Sequence, residues 1–194
     1  MTAQFSASIL AGGKSSRLGR DKGLVLLHGK PIIGYIVDEI LKLSKDITII
    51  SANKQYDVFN CRRCEDLHKD IGPAAGISAA LQCAANDLVF ITSCDMPFIK
   101  AASILYLYEK SADFDITLYT HDQFIEPMFA IFRKSCFAKW DAFLQKGNHK
   151  LLDFFDQFDT NFVDAQEVLQ NNPLLFYNIN TLHELNQATQ WMNT

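Results

Sequence analysis

The sequence predicts a three-layer α/β/α fold, with a mostly parallel sheet, helices on both faces and some antiparallel strands in the second half. Three observations predict it. Short apolar runs alternate with segments of helical spacing in the order β-α-β-(α)-β-α-β-α through the first 112 residues. Those runs, such as DITIIS and DLVFIT, show little polar alternation, as strands buried on both faces do. The 194 residues suit one domain able to bury roughly 70% of its unfolded surface.

Phe5–Leu10 reads as the first buried strand, and Gly12-Gly13 breaks its pattern. Leu24–Leu27 is apolar and ends in the turn His28-Gly29-Lys30-Pro31. Pro31 suits the first turn of a helix running to about Leu43, with Ile33, Ile36, Val37, Ile40 and Leu41 on one face. Asp46–Ser51 is the second strand. Residues 53–60 form a short polar helix or loop, and Arg62–Glu65 a brief strand ending at Asp66. Leu67–Gly76 is a loop entering a helix at Pro73. Asp87–Thr92 is the clearest buried strand and delivers Ser93-Cys94-Asp95-Met96-Pro97 at its end; a helix over about 101–111 follows.

In the second half, Asp115–Thr120 and Pro127–Phe132 read as strands, and a helix from Ser135 to about Gln145 is ended by Gly147. Lys150–Phe155 reads as a short helix, Phe158–Val163 as a strand, and Thr181 to about Trp191 as the closing helix. The phenylalanines, dense from 124 to 176, suggest an aromatic core. The whole arrangement is Rossmann-like, and ligands of such sheets bind beyond the carboxyl ends of the strands. The glycine loop, Ser51, Asp66 and Asp95 would then share one rim.

Charge points to the ligand. The chain carries a net charge of −4, which speaks against a general nucleic-acid binder, yet residues 14–22 hold Lys14, Arg17, Arg20 and Lys22 against the single acid Asp21. Concentrated positive charge after a small-residue turn suits a polyphosphate. It is neither a Walker A loop, which needs glycine where Ser8 or Leu24 stands, nor a G-x-G-x-x-G fingerprint. No apolar run approaches the ~18 residues of a membrane span, and MTAQFSASIL lacks the marks of a secretion signal. The five cysteines, an odd set, read as free thiols in a reducing cytosol. Cys61-x-x-Cys64 has no second pair for zinc.

Asp95 after a buried strand is a candidate ligand for magnesium, which takes one or two carboxylates plus phosphates and water. The alternative is an Asx turn or a cap. Lys22 offers a point charge to phosphate oxygens, and Arg17 a bidentate fork. Asp66 could accept from guanine or bind a ribose, and around Gly72 small residues would let a flat base pack on the backbone. Asn178 and Asn180, two apart, could face one cleft, or Asn180 or Thr181 could cap the last helix.

The motif L-A-G-G-x-S-x-R-x-G-x-D-K over 10–22, GKPII at 29–33, Ser51-Ala52-Asn53, Asp66, GPAAGI at 72–77, SCDMPF at 93–98, EPMFAIF at 126–132 and NINTLHEL at 178–185 follow one another in order. Together they resemble the molybdenum cofactor guanylyltransferases, a branch of the nucleotide-sugar-transferase-like nucleotidyltransferases. The resemblance implies transfer of GMP from GTP to the phosphate of molybdenum-molybdopterin, with Mg²⁺ and release of pyrophosphate. It matches Leu10, Ala11, Gly12, Lys22, Asp66 and Asp95 to GTP contacts, with Gly13 in the same loop, and Asp95 to the metal ligand. It implies one domain over 1–194, with a nucleotide-binding half at 1–112 and an acceptor-binding half at 113–194. It also implies a cytoplasmic protein, with cofactor-synthesis proteins and molybdoenzymes as partners and neither nucleic acid nor membrane. Three positions depart from the family. Ser51 stands where Asn often contacts nucleotide, Leu182 replaces a proline, and His149-Lys150 stands where a basic pair meets the pterin-side phosphate.

A phosphate monoester acceptor, with a second pKa of ~6, needs no catalytic base near neutral pH. Lys22, Arg17, loop amides and Mg²⁺ on Asp95 would offset the repulsion between two polyanions. The rival readings are a CTP-dependent transferase acting on molybdopterin or a sugar phosphate, and a non-catalytic molybdopterin-binding or docking protein.

Overall fold

A computed structural model describes residues 4–12, 21–66, 71–148 and 150–193. Its main sheet has the strand order β5-β4-β1-β6-β8-β7-β9. The strands are β1 (Ser6–Leu10), β4 (Ile47–Ile50), β5 (Arg62–Cys64), β6 (Leu88–Ser93), β7 (Ile116–His121), β8 (Phe124–Arg133) and β9 (Thr160–Asp164). β1 pairs in parallel with both β4 and β6, which places the reversal of strand order between β1 and β6. β8 runs antiparallel to β6 and to β7, and β9 parallel to β7. The expected antiparallel pairing in the second half therefore comes from one strand.

Strand alternation splits the core into two layers. Ala7, Ile9, Ile49, Phe90, Phe129 and Ile131 face α1 (Ile32–Leu41) and α3 (Ala101–Glu109). Leu10, Ile50, Val89, Ile91, Ala130 and Phe132 face α2 (Pro73–Cys83), α4 (Phe137–Gln145) and α5 (Leu151–Phe155). Successive residues of a strand point to opposite faces, so a run such as LVFI must be apolar throughout. The aromatic-rich region is core: Trp140 is fully buried against Phe132, Phe154 and Phe155.

Three features depart from the sequence reading. Leu26–Leu27 (β2) and Lys30–Pro31 (β3) form a small antiparallel hairpin, covered by the closing helix α7 (Leu182–Trp191). A helix unseen in the sequence, α6 (Gln166–Asn171), follows β9. The cysteines, expected to be free, include a disulfide between Cys64 at the end of β5 and Cys83 at the end of α2, with Cα atoms 6.9 Å apart. Its physical basis is the packing of α2 along the β4–β5 edge. Cys61, Cys94 and Cys136 are free thiols.

Candidate functional site

The site forms where β1 leaves the sheet. Ala11 N–H donates to Ile50 O (3.0 Å) and Cys94 N–H donates to Leu10 O (3.1 Å), so the chain parts between its two neighbours. Gly12 follows, exposed, and a Cβ there would meet no atom of the described residues within 4 Å. Gly13 and Arg17, with Lys14 and Arg20, lie outside the described residues.

Asp21 and Lys22 come next, opening a short 3-10 turn over Lys22–Leu24. The Lys22 ammonium lies 3.2 Å from Asp95 Oδ2 and also donates to the side-chain oxygen of Asn180. Asp95 sits two residues past the end of β6 and is largely buried; its Oδ1 accepts from Ser93 Oγ at 2.5 Å. Its backbone carbonyl accepts from Ile179 N–H at 2.9 Å, which docks the segment 177–180 on the rim. Asn180 is fixed from the other side. The backbone N–H groups of Asn180 and Thr181 donate to Glu184 Oε2 (2.6 and 2.8 Å), and Thr181 Oγ1 accepts from Glu184 N–H. This is a capping box at the start of α7. Thr181 is thus the cap, and Asn180 faces the cleft.

The Asp21 carboxylate has its own partners. Tyr56 Oη donates to Oδ1, and Asn53 Nδ2 donates to Oδ2 at 3.1 Å. Asn53 also caps the 3-10 helix Lys54–Phe59, its Oδ1 accepting from Gln55 N–H. Ser51 is buried, and its Oγ accepts from Asn53 N–H at 3.2 Å while its carbonyl accepts from Arg63. Burial pushes the Tyr56 phenol well above its ordinary range, with Cys94 and Asp21 adding to the shift. Burial likewise raises the Cys94 thiol, with Asp95 and Asp21 adding to the shift.

The remaining expected residues stand as follows. Asp66 lies just past β5 at the same rim, half-buried. Gly72 caps α2 with φ +93°, a conformation that favours glycine, and Pro73 fills the first helical position. Asn178 turns back on its own segment, its Nδ2 donating to Phe176 O at 3.0 Å. Lys150 does not join the Lys22–Asp95–Asn180 set; it pairs with Asp153 (3.2 Å) at the exposed start of α5. Among the described residues no group of three His, Cys, Asp or Glu side chains could cage a metal. Asp95 offers a lone carboxylate in a cleft, a donor set that fits a hard cation completing its shell with phosphate and water.

Sequence reasoning missed Asn53, Tyr56, Ser93 and Glu184, and gave Asp21 no role. Asp21 carried a signal, as the one acid in a basic run. Glu184 carried another, standing three residues after Thr181 in the capping-box spacing. Tyr56 carried none.

Residues 7–161 match the MobA-like NTP transferase domain. The chain belongs to the MobA-like NTP transferase family. As a member it is a nucleotidyltransferase. It is 34% identical over 180 residues to the probable molybdenum cofactor guanylyltransferase of Carboxydothermus hydrogenoformans, covering 91% of each chain. It is 34% identical to the molybdenum cofactor guanylyltransferase of Vibrio atlanticus, covering 96% of each. The crystal structure of molybdopterin-guanine dinucleotide biosynthesis protein A from Archaeoglobus fulgidus superposes with a TM-score of 0.83 at 25% identity, covering 97% of this chain and 98% of that one.

Proposed function

We propose that this MobA-like transferase moves GMP from GTP to the phosphate of molybdenum-molybdopterin, forming molybdopterin guanine dinucleotide and releasing pyrophosphate. The observation that carries the reading is the convergence of Lys22, Asp95 and Asn180 at the point where β1 and β6 part, in a chain whose relatives are named for this reaction. Leu10 and Ala11 carry the chain out of the sheet to Gly12, whose exposed backbone receives the nucleotide phosphates. Lys22 binds the triphosphate as a compact cation. Asp95 would hold Mg²⁺, which when bound would supply positive charge to the phosphate oxygens. Asp66 and Gly72 receive the base or ribose, and Arg17 and Gly13 complete the loop.

The acceptor phosphate is a dianion near neutral pH, so the chain needs no base and works by positioning and electrostatics. Residues 1–112 bind the nucleotide and 113–194 the acceptor. The segment around Asn178 and Asn180 brings the second half to the Lys22 ammonium, and Lys150 reaches a pterin-side phosphate. The same reading puts the enzyme in the cytoplasm with its GTP, alongside cofactor-synthesis proteins and molybdoenzyme clients. Among the described residues, no helix is long and apolar enough to cross a membrane.

The test is thermal stabilisation by GTP, CTP, ATP and UTP with and without Mg²⁺, followed by pyrophosphate release with molybdenum-molybdopterin. Binding at a hundredfold excess over Kd adds about 2.7 kcal/mol. A Mg²⁺-dependent shift for GTP alone, with pyrophosphate release, is expected. A shift for CTP alone would move the protein to a cytidylyl transferase, and no shift with any nucleotide would leave a non-catalytic binding protein.

A further inference from the structure

We infer that Tyr56 is a positioning residue for Lys22, acting through the Asp21 carboxylate. The inference rests on the reading that Lys22 acts on the nucleotide phosphates. Its basis is a clamp that holds the backbone on both sides of that lysine. On one side, Asp21 is gripped at both oxygens, by Tyr56 Oη and Asn53 Nδ2. On the other side, Gly23 is wedged: a Cβ there would stand 2.6 Å from Tyr56 Oη and 3.1 Å from Cys94 Cβ. The intervening turn is closed by Leu24 N–H to Asp21 O (3.1 Å) and Val25 N–H to Lys22 O (3.2 Å).

The clamp is anchored in the fold. Tyr56 has no exposed surface and packs in the cluster that holds Ala11, Cys94 and Met96. Asn53 is tied to Ser51, which directly follows β4, and Ser51 N–H donates to Cys64 O on β5 (2.9 Å). A path of contacts therefore runs from two strands to the residue before Lys22.

This matters because a lysine side chain is long, flexible and rich in rotamers. A fixed Cα limits the region that the ammonium can sample, and the Asp95 and Asn180 contacts need it at one place. Packing alone would be served by phenylalanine. The hydroxyl instead meets a carboxylate, and burial keeps the phenol protonated and so able to donate at any working pH.

A double-mutant cycle on the full chain tests this. Turnover and KM for GTP are read by pyrophosphate release with molybdenum-molybdopterin, and folding by thermal melts. Tyr56→Phe is expected to lower kcat/KM about tenfold, the size of one hydrogen bond to a charged group. Asn53→Ala is expected to lower it about threefold, since the stronger of the two donors remains. In a Lys22→Ala background, Tyr56→Phe is expected to change little further, within about twofold. Tyr119→Phe is the comparator: it removes a buried hydrogen bond to Ser103 O (2.8 Å) in the core, and should lower the melting temperature without changing the kinetics.

Wild-type kinetics for Tyr56→Phe would overturn the inference, as would the same tenfold loss in the Lys22→Ala background. If Tyr56→Phe does not fold, the same two criteria apply to Asn53→Ala. Wild-type turnover by Lys22→Ala alone would instead remove the reading of the site itself, an outcome distinct from failure of the clamp.

Discussion

Asp95 and Asn180 meet at one ammonium group but are held there in different ways. Asp95 follows β6, which is paired on both sides, to β1 and to β8. Its position is set by ladders at the centre of the sheet. Asn180 belongs to a segment outside the sheet, docked by the Ile179 N–H to Asp95 O bond and by the capping box of α7. The negative charge is thus placed by the most constrained part of the fold, and the neutral amide oxygen by one of the less constrained. Charge misplaced by an ångström in a low-dielectric cleft costs far more than a neutral dipole misplaced equally, so the rigid frame carries the charge.

Removing the shared ammonium should break both arms at once. Lys22→Ala is expected to lower kcat by about two to three orders of magnitude, the scale of losing one preorganised electrostatic group. Single-turnover measurement with GTP checks this. Removing the weaker arm should cost less: Asn180→Ala is expected to lower kcat about tenfold, with the melting temperature nearly unchanged, since its side chain bonds the Lys22 ammonium rather than the core. Loosening that arm without touching the cleft should cost least. Glu184→Ala removes the capping box and is expected to destabilise by about 1 kcal/mol, with a smaller loss of kcat.

The pH response sharpens the contrast. Burial pushes the Glu184 carboxyl upward, but the Asn180 and Thr181 donors outweigh it and hold it below its ordinary 4.5. A depressed carboxyl contributes stability above its unfolded pKa and loses it as the pH falls through the folded value. Amide exchange at Asn180 and Thr181 should therefore be protected near neutral pH and lose protection as the pH falls through that lowered value. The Glu184→Gln variant should lack this acid-side step.

What the sequence showed about the fold follows the same division. The strands of the first half are short buried runs whose ends carry Gly12, Ser51, Asp66 and Asp95, and all four lie at one rim. Local pattern sufficed there because in a parallel sheet the strand end is the site. It did not suffice for Tyr56, one of two aromatics in the stretch KQYDVF, whose meaning depends on Asp21 lying 35 positions earlier. Nor could it show Cys64 paired with Cys83, since cysteine spacing does not reveal that α2 packs on β5. The α6 helix, at six residues, is too short to print a helical period. Asn178 and Asn180, two apart, have different partners: Asn178 donates to Phe176 O, and Asn180 accepts from the Lys22 ammonium.

The contact between Lys22 and Asn180 joins positions 158 apart in the chain. During synthesis, Lys22 and the Asp95 strand leave the ribosome long before Asn180. At ~5–20 residues per second, several seconds separate the two. A chain extended only past Asp95 therefore carries Lys22 without its Asn180 partner, and the contact waits for the segment that α7 caps.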